Sequence, residues 1–303
     1  MTPTRARWAS SGPATPSSSE PRMRVRLWGT RGSVPAPGAG TARYGGNTSC
    51  VQVTLSDGTT IVLDAGTGIR ALGLALDPPP GPIHILLTHL HLDHIQGLLF
   101  FTPLFNPGCE VTVWGPPTAG SLERLIGRYL SAPLSPVEVR ELPSGPAFLA
   151  CPGPEWQIGQ AQVHARLVLH RGPTLGYRIV DGESSLCYLP DHEPALAESL
   201  DHVEDEWISG LGVARDASLL IHDCQYTDQE YAMHRGWGHS RLSDALDFAT
   251  RSGAKRTLFF HHDPLHTDAL LDELGEQAAD RWRERGGGEG AIAMAMEGGE
   301  LQI

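Results

Sequence analysis

Three histidines and an aspartate, His89, His91, Asp93 and His94, fall within six residues directly after an apolar run. In extended backbone successive side chains alternate, so His89 and His91 point the same way and one cation can take both imidazoles. Asp93 and His94 stand at the turn into the next segment, where they can serve a second cation. Neutral imidazole and carboxylate are borderline-to-hard donors that suit zinc, manganese or iron. A solvated histidine-rich loop is the plain alternative, but this spacing behind an apolar strand rarely arises by chance.

Two cations need further ligands, and other strand ends can supply them. His170 closes an apolar stretch over 163–169, Asp191 closes one over 185–189, and His261 or His262 closes one over 257–260. Alternation puts His261 and His262 on opposite faces, so only one of the two can bind. Strand ends are the usual edge for active-site groups in layered α/β folds. Alone, each of these residues would more often be an ordinary polar terminus. Beside the first motif, the balance reverses.

The elements that must position these groups can be read around them. Residues 23–28 alternate with period two, as a half-buried strand does, and a Gly-rich loop runs from 29 to 47. Strands over 50–55 and 60–63 flank the turn Ser56-Asp57-Gly58 and should pair as a hairpin. Residues 82–87 form a buried strand leading into the histidine motif. Further strands are expected over 110–114, 137–142, 162–169, 174–180, 185–189, 218–222, 256–260 and 291–296. Helices are expected over 118–130, 241–252 and 268–285. Strand-rich halves with helices between and after them point to an α/β fold of two sheets sandwiched between helices, in one domain from 23 to 303. Residues 1–22, rich in Ser, Pro, Thr and Ala, read as a disordered tail or as sequence upstream of a start at Met23.

Composition narrows the function classes. No apolar run approaches the roughly 20 residues of a membrane span. The five cysteines, Cys50, Cys109, Cys151, Cys187 and Cys224, contain no CxxC pair, and they read as ordinary thiols of a cytoplasmic protein. A net charge of −12 argues against a broad grip on a polyanion. A small anionic substrate stays possible, because bound cations invert the local field. His84, His164, His202, His234 and His266 carry no partner pattern and take the structural reading. Arg31 and Arg171 flank candidate site loops and could contact a phosphate.

With these residues in view, Thr88-His89-Leu90-His91-Leu92-Asp93-His94 resembles the metallo-β-lactamase signature, and Val62-Leu63-Asp64-Ala65-Gly66-Thr67-Gly68 resembles the acidic motif that precedes it. His170, Asp191 and His261 resemble its later ligand motifs. Gly29-Thr30-Arg31-Gly32-Ser33-Val34-Pro35, Tyr44-Gly45-Gly46-Asn47-Thr48-Ser49-Cys50, His239-Ser240 and Phe260-His261-His262-Asp263-Pro264 look like the phosphodiesterase branch that includes ribonuclease Z. The resemblance implies a four-layer αββα sandwich and two divalent ions, zinc first, with manganese or iron as alternatives. His89, His91 and His170 would hold one ion, Asp93, His94 and His261 the other, with Asp191 bridging. Asp64 would orient a ligand imidazole or its loop without touching metal. Asp93 would also orient the attacking water. His239, oriented by Asp223, would protonate the leaving oxygen.

Two ions about 3.5–4 Å apart acidify a shared water and offset charge at phosphorus. Hydrolysis of a small or cyclic nucleotide-like phosphodiester is the first reading. A ribonuclease Z-type nuclease acting on tRNA 3′ ends is the alternative, and a non-catalytic protein retaining the fold is a third. Ribonuclease Z reaches tRNA through a protruding basic arm, whereas residues 101–152 here hold few basic residues, Arg124, Arg128 and Arg140. This favours the small substrate and no extended nucleic-acid surface. A homodimer is expected from the ribonuclease Z branch by analogy.

Overall fold

The computed structural model describes residues 23–76, 81–195 and 199–303. The tail expected over 1–22 lies outside the described residues. One sheet is built from β1 (Arg24–Gly29), β2 (Cys50–Thr54), β3 (Thr60–Leu63), β4 (Ile83–Leu86), β5 (Val111–Gly115), β6 (Ala147–Ala150) and the last strand, β14 (Glu300–Gln302). Its order is β14-β1-β2-β3-β4-β5-β6. The other contains β7 (Glu155–Ile158), β8 (Ala161–Leu167), β9 (Leu175–Asp181), β10 (Ser184–Leu189), β11 (Leu219–Asp223), β12 (Thr257–Phe260) and β13 (Ile292–Met294), side by side in chain order. In each sheet four strands pair antiparallel and three more continue in parallel from the fourth.

The alternation of apolar residues explains the layering. Val51, Val53, Ile61, Leu63 and Leu86 from the first sheet meet Val163, Tyr177, Ile179, Leu186, Tyr188 and Ile221 from the second in one continuous core. The neighbours that alternation turns outward, Val62, Ile83, Ile85 and Val113, pack under α1 (Ile69–Ala75) and α3 (Leu122–Tyr129). On the far side Leu189, Leu220 and Phe259 pack under α4 (Leu211–Ala214), α6 (Leu242–Ser252) and α7 (Asp268–Glu284). β3 is buried on both faces for this reason, which is why it reads as an unbroken apolar run. The result is four layers, helix, sheet, sheet, helix. Two tyrosines tie the sheets at one end: Tyr177 donates to the Leu87 carbonyl at 2.7 Å and Tyr188 to Asp64 Oδ2 at 3.0 Å. No helix among the described residues is long and apolar enough to cross a membrane.

The strand expected over 137–142 is instead a short 3₁₀ turn at Val139–Glu141. Its alternating pattern lost to local capping, since Glu141 Oε2 accepts from the Glu138 amide at 2.8 Å. β6 lies further on, and it was not expected. The short strands β7 and β14 and the helix α1 also went unread.

Candidate metal centre

Every candidate ligand follows the end of a strand at one edge of the sandwich, as the expected layout requires. Asp64 follows β3, and the Thr88–His94 motif follows β4, with Asp93 and His94 inside the one-turn helix α2 (Leu92–Ile95). His170 lies beyond β8, Asp191 beyond β10 and His261 directly after β12, while Asp223 is the last residue of β11. His239 sits in the loop between α5 (Tyr231–His234) and α6.

Among the donor groups these positions bring together, one holds His89, His91, His170 and Asp191 and another Asp93, His94, Asp191 and His261, with donor atoms in each within 4.8 Å of one another; Asp223, His239 and His261 form a third. Asp191 belongs to the first two. Its Oδ2 faces His89 Nε2 at 3.7 Å and His170 Nε2 at 3.5 Å. Its Oδ1 faces His94 Nε2 at 3.1 Å and His261 Nε2 at 3.3 Å. Asp93 Oδ2 lies 3.2 Å from His94 Nε2 and 3.3 Å from His261 Nε2. In the first group His91 Nδ1 lies 2.8 Å from His89 Nε2 and 3.3 Å from His170 Nε2.

The donor set fits divalent metal. His94 Nε2 and Asp191 Oδ1 are buried, yet neither makes a hydrogen bond, so their close approach is badly angled for one. Buried polar atoms of this kind are normally satisfied, and a shared cation would satisfy both. The far nitrogens of the rings are already spoken for. His94 Nδ1 donates to Asp64 Oδ2 at 2.8 Å, His170 Nδ1 to the Gly238 carbonyl at 2.8 Å, and His261 Nδ1 to Gln225 Oε1 at 2.9 Å. Each bond leaves the Nε2 lone pair aimed inward. Asp64 is itself held by the Thr88 amide at 2.7 Å and by Tyr188. Asp93 Oδ2 accepts from the Ser33 amide at 2.9 Å.

Charge follows this packing. Burial alone would raise the Asp191 carboxyl, but His261, His94 and His89 hold its pKa well below the usual carboxylate range. Asp93 is likewise held low by His94 and His261 against the effect of burial. His89 is pushed well down, first by burial and then by His94, which favours the neutral imidazole a cation needs.

Two glycines are required by the imidazoles. A Cβ on Gly32 would stand 2.3 Å from His261 Nδ1, and one on Gly238 would stand 2.5 Å from His170 Nδ1. Gly238 also has φ of 91°, a conformation that glycine adopts without strain.

At the border of both groups lies His239, its ring 4.9 Å from those of His170 and His261. Its Nδ1 donates to Asp223 Oδ2 at 2.6 Å, which leaves Nε2 for a reacting group. Asp223 also accepts from the amides of His192, Gln225 and Ser240 at 3.0–3.1 Å. Burial pushes the His239 pKa down, against the pull of Asp191 and Asp93. The loop that carries His239 is clamped from beneath. Glu193, which is buried, accepts from Tyr231 Oη at 2.7 Å, the Gly236 amide at 2.9 Å and the Gly238 amide at 2.8 Å.

Some sequence expectations resolve differently. Arg31 does not reach a substrate. Its guanidinium is fully buried and donates to the carbonyls of Gly45, Asp263 and His266 at 2.7–2.9 Å, tying the Gly-rich loop to the end of β12. Arg171 remains exposed. His262 points away from the donor groups and lies 2.8 Å from the Ala295 carbonyl through Nε2. Ser33, Gln225 and Glu193 were not anticipated. Ser33 lies inside the recognised 29–35 motif, Glu193 two residues beyond Asp191 and Gln225 two beyond Asp223, yet none of the three was given a role.

The description of the family model that matches residues 59–262 is beta-lactamase superfamily domain. Ribonuclease Z of Haloarcula marismortui is 25% identical over 93% of this chain and 97% of that protein. A diphosphatase of the PhnP family superposes with a TM-score of 0.65 at 21% identity, over 93% of this chain and 98% of its own. Human tRNase Z, short form, superposes with a TM-score of 0.63 at 21% identity, over 92% of this chain and 100% of its own. These findings correct the expectation of no extended nucleic-acid surface, because the ribonuclease Z matched along nearly its whole length acts on RNA; the small anionic diester is left unconfirmed, and the relatives' names favour the tRNA alternative. Net charge misled because it sums the whole surface, whereas the potential at a site mouth is set by nearby groups and bound ions.

Proposed function

The chain belongs to the beta-lactamase superfamily, and from that membership we propose an RNA phosphodiesterase of ribonuclease Z type. It is a metal-dependent hydrolase of phosphodiesters; the RNA substrate is our inference. His89, His91 and His170 would hold one divalent ion and Asp93, His94 and His261 a second, with Asp191 serving both and zinc the first choice for this nitrogen and oxygen set. Such ions supply Lewis acidity toward phosphate oxygens and acidify water near neutral pH. Asp93, its Oδ2 fixed by the Ser33 amide, offers a carboxylate that orients the attacking water. A homodimer in the reducing cytoplasm goes with this reading.

The observation that carries the reading is the Asp223–His239 pair set against both donor groups. A ribose alkoxide is a poor leaving group and departs only with a proton. A donor at the edge of a two-ion site meets that need, with Asp223 fixing the proton on Nδ1 and helping to hold the charge when Nε2 is protonated. The test compares precursor tRNA, cyclic nucleotides and bis-p-nitrophenyl phosphate on zinc-reconstituted protein. We expect precursor tRNA to be cut at its 3′ end with the highest kcat/KM. Hydrolysis of the small diesters with no cut in tRNA overturns the RNA reading.

A further inference from the structure

We propose that Arg171, Arg235 and Trp237 form a lip that receives the RNA strand beside the scissile phosphate, with the two guanidinium groups on backbone phosphates and the indole stacked on a base. The proposal rests on the RNA reading above. It answers how an acidic chain can hold a polyanion: the cations need only stand at the mouth.

Arg171 directly follows His170, and Arg235 and Trp237 lie in the loop just before His239. The two loops abut. A Cβ on Gly238 would stand 3.2 Å from the Arg171 amide nitrogen, and the His170 ring bonds the Gly238 carbonyl. Arg171 and Arg235 are exposed, and neither side chain makes an ion pair or hydrogen bond among the described residues. Elsewhere arginines are largely spent, for example Arg43 on Asp272, Arg281 on Asp228 and Arg285 on Asp247.

Trp237 is 52% exposed, so much of the indole is open to solvent. One edge meets the His234 ring at 4.9 Å, His234 stacks on Tyr226 at 4.4 Å, and Tyr226 meets His239 at 5.9 Å. An aromatic series therefore runs from the candidate proton donor to the exposed indole. The loop is also preformed, because Glu193 holds the amides on both sides of Trp237 and Gly236 and Gly238 take positive φ. An ordered platform loses little entropy on binding, and indole faces stack on any base.

The test titrates the zinc-loaded full chain with a fluorescent single-stranded phosphorothioate oligoribonucleotide across a salt series. The double variant Arg171→Gln/Arg235→Gln should weaken binding and flatten the slope of log Kd against log salt by about 1.4, roughly 0.7 per phosphate contact on a single strand. Trp237→Ala should weaken binding about 10-fold with the slope unchanged. Zinc content should stay at the native level in both variants. Lys255→Gln removes one positive charge ahead of β12, at the opposite end from His261, and should leave the slope alone. An unchanged slope in the double variant, or a flattening of about 0.7 in Lys255→Gln, overturns the lip. So does loss of zinc, which would mean that these residues only support the metal centre. Failure of the RNA reading looks different: the native chain would bind the oligonucleotide with its full slope but leave precursor tRNA uncut.

Discussion

Replacing Gly32 with alanine adds one methyl group, which would stand 2.3 Å from His261 Nδ1, 2.5 Å from Cε1 and 2.9 Å from Cγ. Ordinary contact begins at 3.4 Å, so the ring must recede by 3.4 − 2.3, about 1.1 Å. It has little freedom to turn instead, because Nδ1 donates to Gln225 while Nε2 faces Asp93 and Asp191 at 3.3 Å each. Metal–ligand distances tolerate only about 0.2 Å, so His261 is lost as a ligand and Asp93, His94 and Asp191 remain. Loss of an outer partner of a ligand already costs about 10–100-fold in metal affinity, and loss of the ligand itself should cost at least the upper end of that. Chelator competition on metal-free protein should therefore find one zinc bound as in the native chain and the second weakened by about 100-fold or more. Gly120→Ala, whose methyl meets nothing within 4 Å, is the control. Overpacking costs about 1–3 kcal/mol, which thermal unfolding of the metal-free variant reports separately. Two zinc ions at native affinity in Gly32→Ala would refute the assignment of His261.

His239→Ala should keep its zinc yet lose about 10²–10⁴-fold in turnover on a ribose ester, and much less on bis-p-nitrophenyl phosphate. Equal losses on both would mean that the ring binds phosphate and does not protonate the leaving oxygen. Glu193→Gln exchanges one acceptor oxygen for a donor and so breaks the bond to the Gly236 or Gly238 amide. Through the Gly238 carbonyl on His170, zinc affinity should fall by about 10–100-fold, and native affinity in a chelator titration would count against the clamp. His222 is fully buried, and burial depresses its pKa from 6.5 to about 3. A histidine depressed in the folded state stabilises fully above 6.5 and loses that contribution as pH falls toward 3. At pH 5 the loss is about 2 kcal/mol, so urea midpoints should fall between pH 7 and 5 and His222→Gln should flatten that fall; parallel curves would exclude the residue.

The histidine motif was legible because its geometry is local: an apolar strand, then alternating side chains, then a one-turn helix. His170, Asp191 and His261 could be read as strand ends for the same reason. Gln225, Ser33 and Glu193 could not, since each acts across the fold and nothing near it in sequence marks its partner. Arg31 was misjudged because nearness to a site loop says nothing about which way a guanidinium turns. The strand expected at 137–142 failed because a capping box competes with alternation over so few residues. β7 and β14 are short edge strands, and their pairing is settled by the sheets they join.

The two sheets share one strand pattern, four antiparallel strands continued by three parallel ones. In each half the fourth strand, β3 or β10, is followed within two residues by an acid, Asp64 or Asp191. The fifth strand, β4 or β11, leads to the His89 motif in one half and to Asp223 in the other. The donor edge thus lies on a seam between two sheets of one strand pattern, although β14, the first strand of one of them, comes from the far end of the chain. One acid steadies His94 from behind while its counterpart faces both donor groups.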